Sequence, residues 1–244
     1  MAPSLSRVVF FFCCALGAGA EAAAAGMPPV YINNLAPFAY EDHGVMKGVI
    51  YDLVVDIARR AGAGGSVDAV PFKRITARLG DKPNTYGVIW RQPENEASYT
   101  WIVKLLDERM MLVAASGSGV DISSVAAARH LRAGVVLGSP ADVIAHRLGF
   151  DHIEAVGNAE SNARKLAAGR IDVWLAVPGV VNYGRQRSGA AMGGVRFGAQ
   201  IEPVSMYLAC TQPCDQADVA KLRAIFDAMT QDGSYARILR QYHY

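Results

Sequence analysis

Between residues 29 and 90 the chain alternates extended and helical patterns, and that alternation limits its fold more than any other feature. Pro29 to Asn33 reads as a short strand. After the turn Glu41-Asp42-His43-Gly44, the residues Ile50, Leu53, Val54, Ile57, Ala58 and Ala61 recur at the spacing of one helix face. Arg59-Arg60 and the glycines from Gly62 end that helix. Ser66 to Val70 is a second strand, Phe72 to Leu79 a second helix, and Tyr86 to Trp90 a third, buried strand. The order βαβαβ is the grammar of a mostly parallel sheet flanked by helices.

The pattern restarts further on. Met110 to Ala115 reads as a strand, and Ser116-Gly117-Ser118-Gly119 as a flexible connector. Ala133 to Leu137 is another strand. Ser139-Pro140-Ala141-Asp142 then opens a helix with an N-cap serine, a proline at the first helical position and an acid three residues on. Asn158 caps a helix that stops at Gly169, and Ile171 to Ala176 is the next strand. Glu202-Pro203 is expected to break the chain before a strand from Ser205 to Cys210. In the tail Val219, Leu222, Ile225, Phe226 and Met229 share a helix face, Gly233 stops that helix, and Ser234 starts a last short one. Two arrangements fit: two α/β units in series, or a chain that crosses to a second lobe near residue 114 and returns near 203.

Residues 1–25 have a different character. Arg7 precedes the apolar run Val8 to Leu16, and Ala-x-Ala patterns follow at Ala20-Glu21-Ala22 and Ala23-Ala24-Ala25. This order is expected of a cleaved secretory signal peptide, and the run is far short of the roughly 20 residues of a bilayer span. The mature protein is therefore expected outside the cytoplasm. Of 244 residues, 52% are hydrophobic and 19% charged, ample for a core, and the net charge of +2 gives no reason to expect a nucleic-acid partner. Two of the four cysteines leave with the leader. Cys210 and Cys214 remain, and in an oxidising compartment they read as a local disulfide worth about 2 kcal/mol. The histidines are scattered, so no metal is expected. There is no GxSxG, HExxH or P-loop, and neither catalytic residues nor a cofactor are expected.

Four segments together carry a resemblance. The first is Ala36-Pro37-Phe38-Ala39-Tyr40-Glu41-Asp42 followed by Gly48-Val49-Ile50-Tyr51-Asp52-Leu53. The second runs from Pro71-Phe72-Lys73-Arg74 through Pro83-Asn84-Thr85 and Arg91-Gln92-Pro93-Glu94-Asn95-Glu96 to Tyr99-Thr100-Trp101-Ile102. The third is Gly134-Val135-Val136-Leu137-Gly138-Ser139-Pro140, and the fourth Leu166-Ala167-Ala168-Gly169-Arg170-Ile171-Asp172. In order and spacing they resemble the bacterial extracellular solute-binding proteins of family 3, the periplasmic receptors of polar amino-acid uptake. The resemblance implies an α/β, two-lobed periplasmic binding protein type II fold, with mixed sheets, flanking helices and a two-strand hinge. It assigns residues 26–113 and 204–244 to one lobe and 114–203 to the other. It also implies a monomer that closes on a small-molecule ligand and delivers it to the permease of an ABC importer.

The departures from that family matter as much. Its arginine for the ligand's α-carboxylate corresponds to Asn95, its acid for the α-ammonium to Val177, and its stacking aromatic to Leu35. A desolvated zwitterion needs paired charge at both ends, so a free α-amino acid is not the expected ligand. Arg91 is a substitute cation or a surface ion pair. Ser139 and the helix it opens offer an anion site or a plain cap. Phe38, Phe72 and Trp90 line the cleft or belong to the core. Besides a solute receptor, an accessory protein of a periplasmic oxidoreductase or sensor and a dehydratase-like enzyme fit the same scaffold.

Overall fold

Apolar side chains at alternate positions put the first strand, β1 (Val30–Asn33), inside a sheet, with Val30 and Ile32 fully buried. A hairpin of β2 (Tyr40–Asp42) and β3 (Val45–Lys47) follows, turned by His43 and Gly44, both at positive φ. Helix α1 (Val49–Arg60) buries the face read from its periodicity: Ile50, Leu53, Val54, Ile57 and Ala58. It starts at Gly48, where a Cβ would lie 2.3 Å from the carbonyl oxygen of Phe38 at a φ of 131°. Only glycine permits that approach. Strand β4 (Val67–Val70), helix α2 (Phe72–Gly80) and strand β5 (Tyr86–Arg91) complete the expected βαβαβ unit, with β1 parallel to both β4 and β5.

After a 3-10 turn at Pro93–Ser98 the chain runs into β6 (Tyr99–Ala115), much longer than the expected Met110–Ala115. The second half comprises α3 (Val125–Ala128), β7 (Arg132–Val136), α4 (Pro140–Arg147), β8 (His152–Val156), α5 (Ala159–Ala167), β9 (Val173–Ala176) and α6 (Pro178–Arg187). Strand β10 (Val195–Thr211) returns, and α7 (Gln216–Gln231) and α8 (Ser234–Gln241) close the chain. This computed structural model describes residues 28–62, 66–80, 82–189 and 193–244, without the side chains of Phe72, Lys73 and Thr76. The expected leader, 1–25, and residues 63–65 of the glycine cluster lie outside the described residues. Among the described residues no helix is long and apolar enough to cross a membrane.

Eight strands form one curled sheet in the order β4-β1-β5-β10-β6-β9-β7-β8. Its centre is the antiparallel pair of 17-residue strands, β6 and β10. At one end β10 also pairs with β5, from Ser205 to Cys210; at the other β6 pairs with β9, from Met111 to Val113. The two strands thus cross between two lobes, and register shifts between Phe197 and Glu202 and again after Met206 add twist along the crossing. Glu202-Pro203 does not break the chain as expected. Pro203 lies within β10, opposite Arg109, at a point where β10 pairs only with β6. An imino nitrogen on an unpaired strand side leaves no ladder bond unmade. The disulfide joins Cys210, at the end of β10, to Cys214 just before α7.

Candidate functional site

The seam between the lobes brings together residues from distant parts of the sequence. Leu35 follows β1 and Trp90 is the next-to-last residue of β5, so both come from the first lobe. Phe38 packs edge-on against Trp90, with ring centroids 5.7 Å apart, and fixes that wall from behind. Val136, Ser139 and Val177 come from the second lobe, at the ends of β7 and β9 where α4 and α6 begin. Trp174 of β9 and Met110 of the crossing strand β6 complete the enclosure.

The cavity they surround is apolar and almost full. No Asp, Glu, Lys, Arg or His contributes to its lining. The centre of a water molecule has only about 20 Å³ to move in, room for about one water. Trp174 is fully buried, Val177 is 2% exposed and Leu35 9%. Two polar atoms stand out in this setting. Ser139 Oγ and Trp174 Nε1 are buried and, among the described residues, have no hydrogen-bond partner. Each orphan costs about 1–3 kcal/mol unless a water or a guest atom meets it. Ser139 does occupy the N-cap position of α4, but its hydroxyl makes no capping bond. Asp142, the expected acid three residues on, instead accepts from the Gly138 N–H at 2.8 Å.

The other sequence candidates lie elsewhere. Arg91 projects from the end of β5 to the surface, where it grips Glu96 and stacks 5.2 Å over both Trp101 and Tyr207. Its carboxylate partner holds the guanidinium above its usual range. It is a surface ion pair and is absent from the cavity lining, because the 3-10 turn places Glu96 directly against it. Asn95 is also absent from the lining: its side chain accepts from the Gln92 N–H at 2.9 Å and donates to the Trp90 carbonyl at 2.8 Å. Phe72 opens α2, and its side chain lies outside the described residues. Residue-by-residue reading missed Met110 and Trp174. A tryptophan within an otherwise aliphatic β9 was the available signal for the second. Among the described residues no group of three or more His, Cys, Asp or Glu is placed to hold a metal.

Contacts along the rim also join the lobes. Arg147 of α4 donates to Glu94 at 2.9 Å and pairs with Glu202 of β10. Arg187 of α6 donates to Asp42 of the hairpin at 3.0 Å, and the rings of Tyr40 and Tyr183 meet 5.0 Å apart. At the crossing, buried Glu108 accepts from the Tyr244 hydroxyl at 2.9 Å. Burial raises the pKa of this carboxyl, against the pull of that hydrogen bond.

A family model describing bacterial extracellular solute-binding proteins, family 3, matches residues 30–244. The chain belongs to this family. Solved structures agree on its fold. The GluR0 ligand-binding core from Nostoc punctiforme, in complex with L-glutamate, superposes with a TM-score of 0.75 at 14% identity over 88% of this chain and 99% of that one. An ancestral arginine-binding protein bound to arginine gives 0.73 at 20%, covering 91% and 100%. An ancestral amino acid-binding protein described as a precursor of cyclohexadienyl dehydratase gives 0.70 at 17%, covering 90% and 96%. A comparison with curated protein sequences finds no match. Identities this low establish the type II binding-protein fold and leave the ligand to the site itself.

Proposed function

We propose that this protein is a periplasmic receptor, exported through its leader, that captures a small and mainly apolar solute between its lobes and passes it to the permease of an ABC importer. It acts as a monomer, and its solute is not a free α-amino acid. One observation carries the reading. The cavity shared by the lobes has no charged side chain among its lining residues, and two of those residues, Ser139 and Trp174, carry a buried polar atom without a partner among the described residues. A zwitterion buried there would lose hydration at two charges with nothing to offset it. A solute with an apolar body and a single polar end meets both orphans instead. The absence of a titratable group from the lining also supports binding over turnover, since general acid–base catalysis needs one.

The lobe bounds proposed with this reading are 26–113 with 204–244, and 114–203. The pairing of β5 with β10 only from Ser205 supports the second crossing, and β6 changes lobe a few residues before 114, since Met111 already pairs with Ala176.

Thermal shift together with tryptophan fluorescence tests the reading, because Trp90 and Trp174 both face the cavity. A solute at a hundred times its Kd adds about 2.7 kcal/mol of stability. Singly functional apolar solutes should shift both signals and the free amino acids neither. Tight, stoichiometric binding of an unmodified amino acid would overturn the proposal.

A second reading has its own observation. With room for one water, and with Arg147–Glu94 and Arg187–Asp42 holding the rim, the lobes need no guest to stay together. That favours an accessory protein that has given up solute binding. Silence across a broad solute panel, together with co-purification of a protein partner, would select it.

A further inference from the structure

A separate groove of about 490 Å³ runs along the same seam and shares no lining residue with the apolar cavity. Its volume is within the roughly 300–1,000 Å³ usual for small-molecule sites. Pro37, Tyr40 and the stretch after α8 line it from one lobe, α6 lines it from the other, and Glu108 of the crossing strand lies at its base. We propose that this groove is a second ligand site, built for a neutral, polyhydroxylated molecule of saccharide type.

Three features of the lining support that chemistry. The first is its rings: Tyr40, Tyr183, Tyr242 and Tyr244 are each half-buried, and they are held in place. Tyr242 donates to Asp52 at 2.7 Å and accepts from the Gly48 N–H, Tyr244 is bonded to Glu108, and Tyr40 and Tyr183 brace each other. Rings fixed in this way offer flat apolar faces to the C–H face of a sugar without losing conformational freedom on binding. The second is its amides. Asn182, Gln186 and Gln241 line the groove, and among the described residues their side chains make no hydrogen bond within the protein. A carboxamide carries donors and an acceptor in one plane, which matches neighbouring hydroxyls that also do both. The third is its charge. No Lys or Arg lines the groove, and its one imidazole, His243, is exposed to solvent, which disfavours anions. Its one carboxylate, Glu108, is buried and already engaged by Tyr244, which disfavours cations. Burial also raises the pKa of all four tyrosines, so they stay neutral hydroxyls near pH 7.

The groove exists only while the lobes are together, because α6 supplies one wall and Tyr40 and Tyr242 the other. A ligand in it therefore favours the closed arrangement to the extent that it binds that arrangement better. This inference does not rest on the apolar cavity, and the two are tested separately.

The experiment is isothermal titration of the full chain with maltose, cellobiose, sucrose and trehalose, with saturation-transfer NMR on the same pairs. At least one disaccharide should bind saturably. The double variant Asn182→Ala/Gln186→Ala, changed only at exposed positions of α6, should bind it at least about tenfold more weakly, a loss of about 1.4 kcal/mol. Tyr183→Phe, which keeps the ring and removes the hydroxyl, should weaken it less, and Ser139→Ala in the apolar cavity should leave it unchanged. No binding by a natively folded protein, equal binding by the α6 double variant, or saturable uptake of tetramethylammonium or acetate in the groove in place of a sugar would each overturn the proposal.

Discussion

Two spaces lie on one seam and are made by opposite means. The cavity between Leu35, Trp90, Trp174 and Val177 is lined by apolar groups and almost closed up, with two polar atoms left unmet. The groove between Tyr40, Tyr183 and Tyr242 is lined by phenols and amides and stands open. The contrast separates two jobs. Buried apolar contact holds lobes together, at roughly 25 cal/mol per Å² removed from water, and tolerates few changes of shape. Exposed amides contribute little to cohesion and leave their bonds for a guest. Substitutions in the cavity should therefore register in stability, and those in the groove in binding.

The sharpest expression of that contrast is Trp174→Ala against Asn182→Ala. Trp174 is fully buried and packs so closely on α6 that a Cβ at Gly184 would lie 2.9 Å from its ring. Its truncation should cost about 3–5 kcal/mol, read from the urea midpoint at constant m-value. Asn182 is exposed and should move stability by no more than about 0.5 kcal/mol. Comparable losses at the two sites would erase the distinction. Next in size is Gly179→Ala, where the groove does carry structure. A Cβ there would stand 1.9 Å from the Tyr244 hydroxyl, so the phenol must leave Glu108, at a cost of about 1–3 kcal/mol. In a Tyr244→Ala background the same change should cost less, keeping only the 2.8 Å approach of the new Cβ to Glu108 Oε1, and the double-mutant cycle measures the difference. Additive effects would mean that the Gly179 contact is not what matters.

The two spaces were unequally legible in the sequence. Strong periodicity placed β1, α1, β4, α2 and β5 within a residue or two of their observed bounds. Motif alignment grouped Leu35, Asn95 and Val177 as the clamp positions and read Ser139 separately; Leu35, Val177 and Ser139 line the cavity and Asn95 does not. Long-range pairing was not legible. β6 opens on the strand-like run Tyr99 to Val103, but Lys104, Asp107, Glu108 and Arg109 interrupt the pattern before Met110, and pairing with β10 carries one strand through them. Pro203 misled for the same reason, since its tolerance depends on which side of β10 is unpaired. Arg91 and Asn95 were drawn away from the cleft by a short turn whose geometry follows from hydrogen bonds to Glu96, Gln92 and Trp90. The groove joins Pro37, Glu108, α6 and the residues after α8, and no local pattern links them.

Glu108, beneath the groove, gives the comparison a pH dependence. Its carboxyl pKa is raised in the folded protein, mainly by burial, above the ordinary value of 4.5. The folded state then binds more protons than the unfolded state between those two values. The stabilising contribution of neutral Glu108 is present below about pH 4.5 and is lost as pH rises through the folded pKa, at no more than about 1.4 kcal/mol per pH unit. Glu108→Gln removes the titration. Wild type and variant should be close at pH 4, and the wild type should fall behind as pH rises toward neutrality. Thermal unfolding of both proteins across that range checks it, and parallel profiles would count against a raised pKa at the crossing.

The smallest effect is also the most diagnostic for the cavity, because two physical accounts of Ser139 give it opposite signs. If the hydroxyl caps α4, Ser139→Ala should destabilise by about 1 kcal/mol, as N-cap truncations do. The geometry argues otherwise: no capping bond is made, and Oγ is buried without a partner. Removing an unmet buried polar atom should leave the empty protein unchanged or more stable by about 1 kcal/mol. The cost should appear only with a bound solute, whose polar end then loses a partner. Urea unfolding of the unliganded pair decides the sign, and titration with any solute that shifts the tryptophan signal decides the second half. A variant that is less stable when empty and binds as tightly as before would make Ser139 an ordinary cap and leave the cavity with a single orphan, Trp174 Nε1.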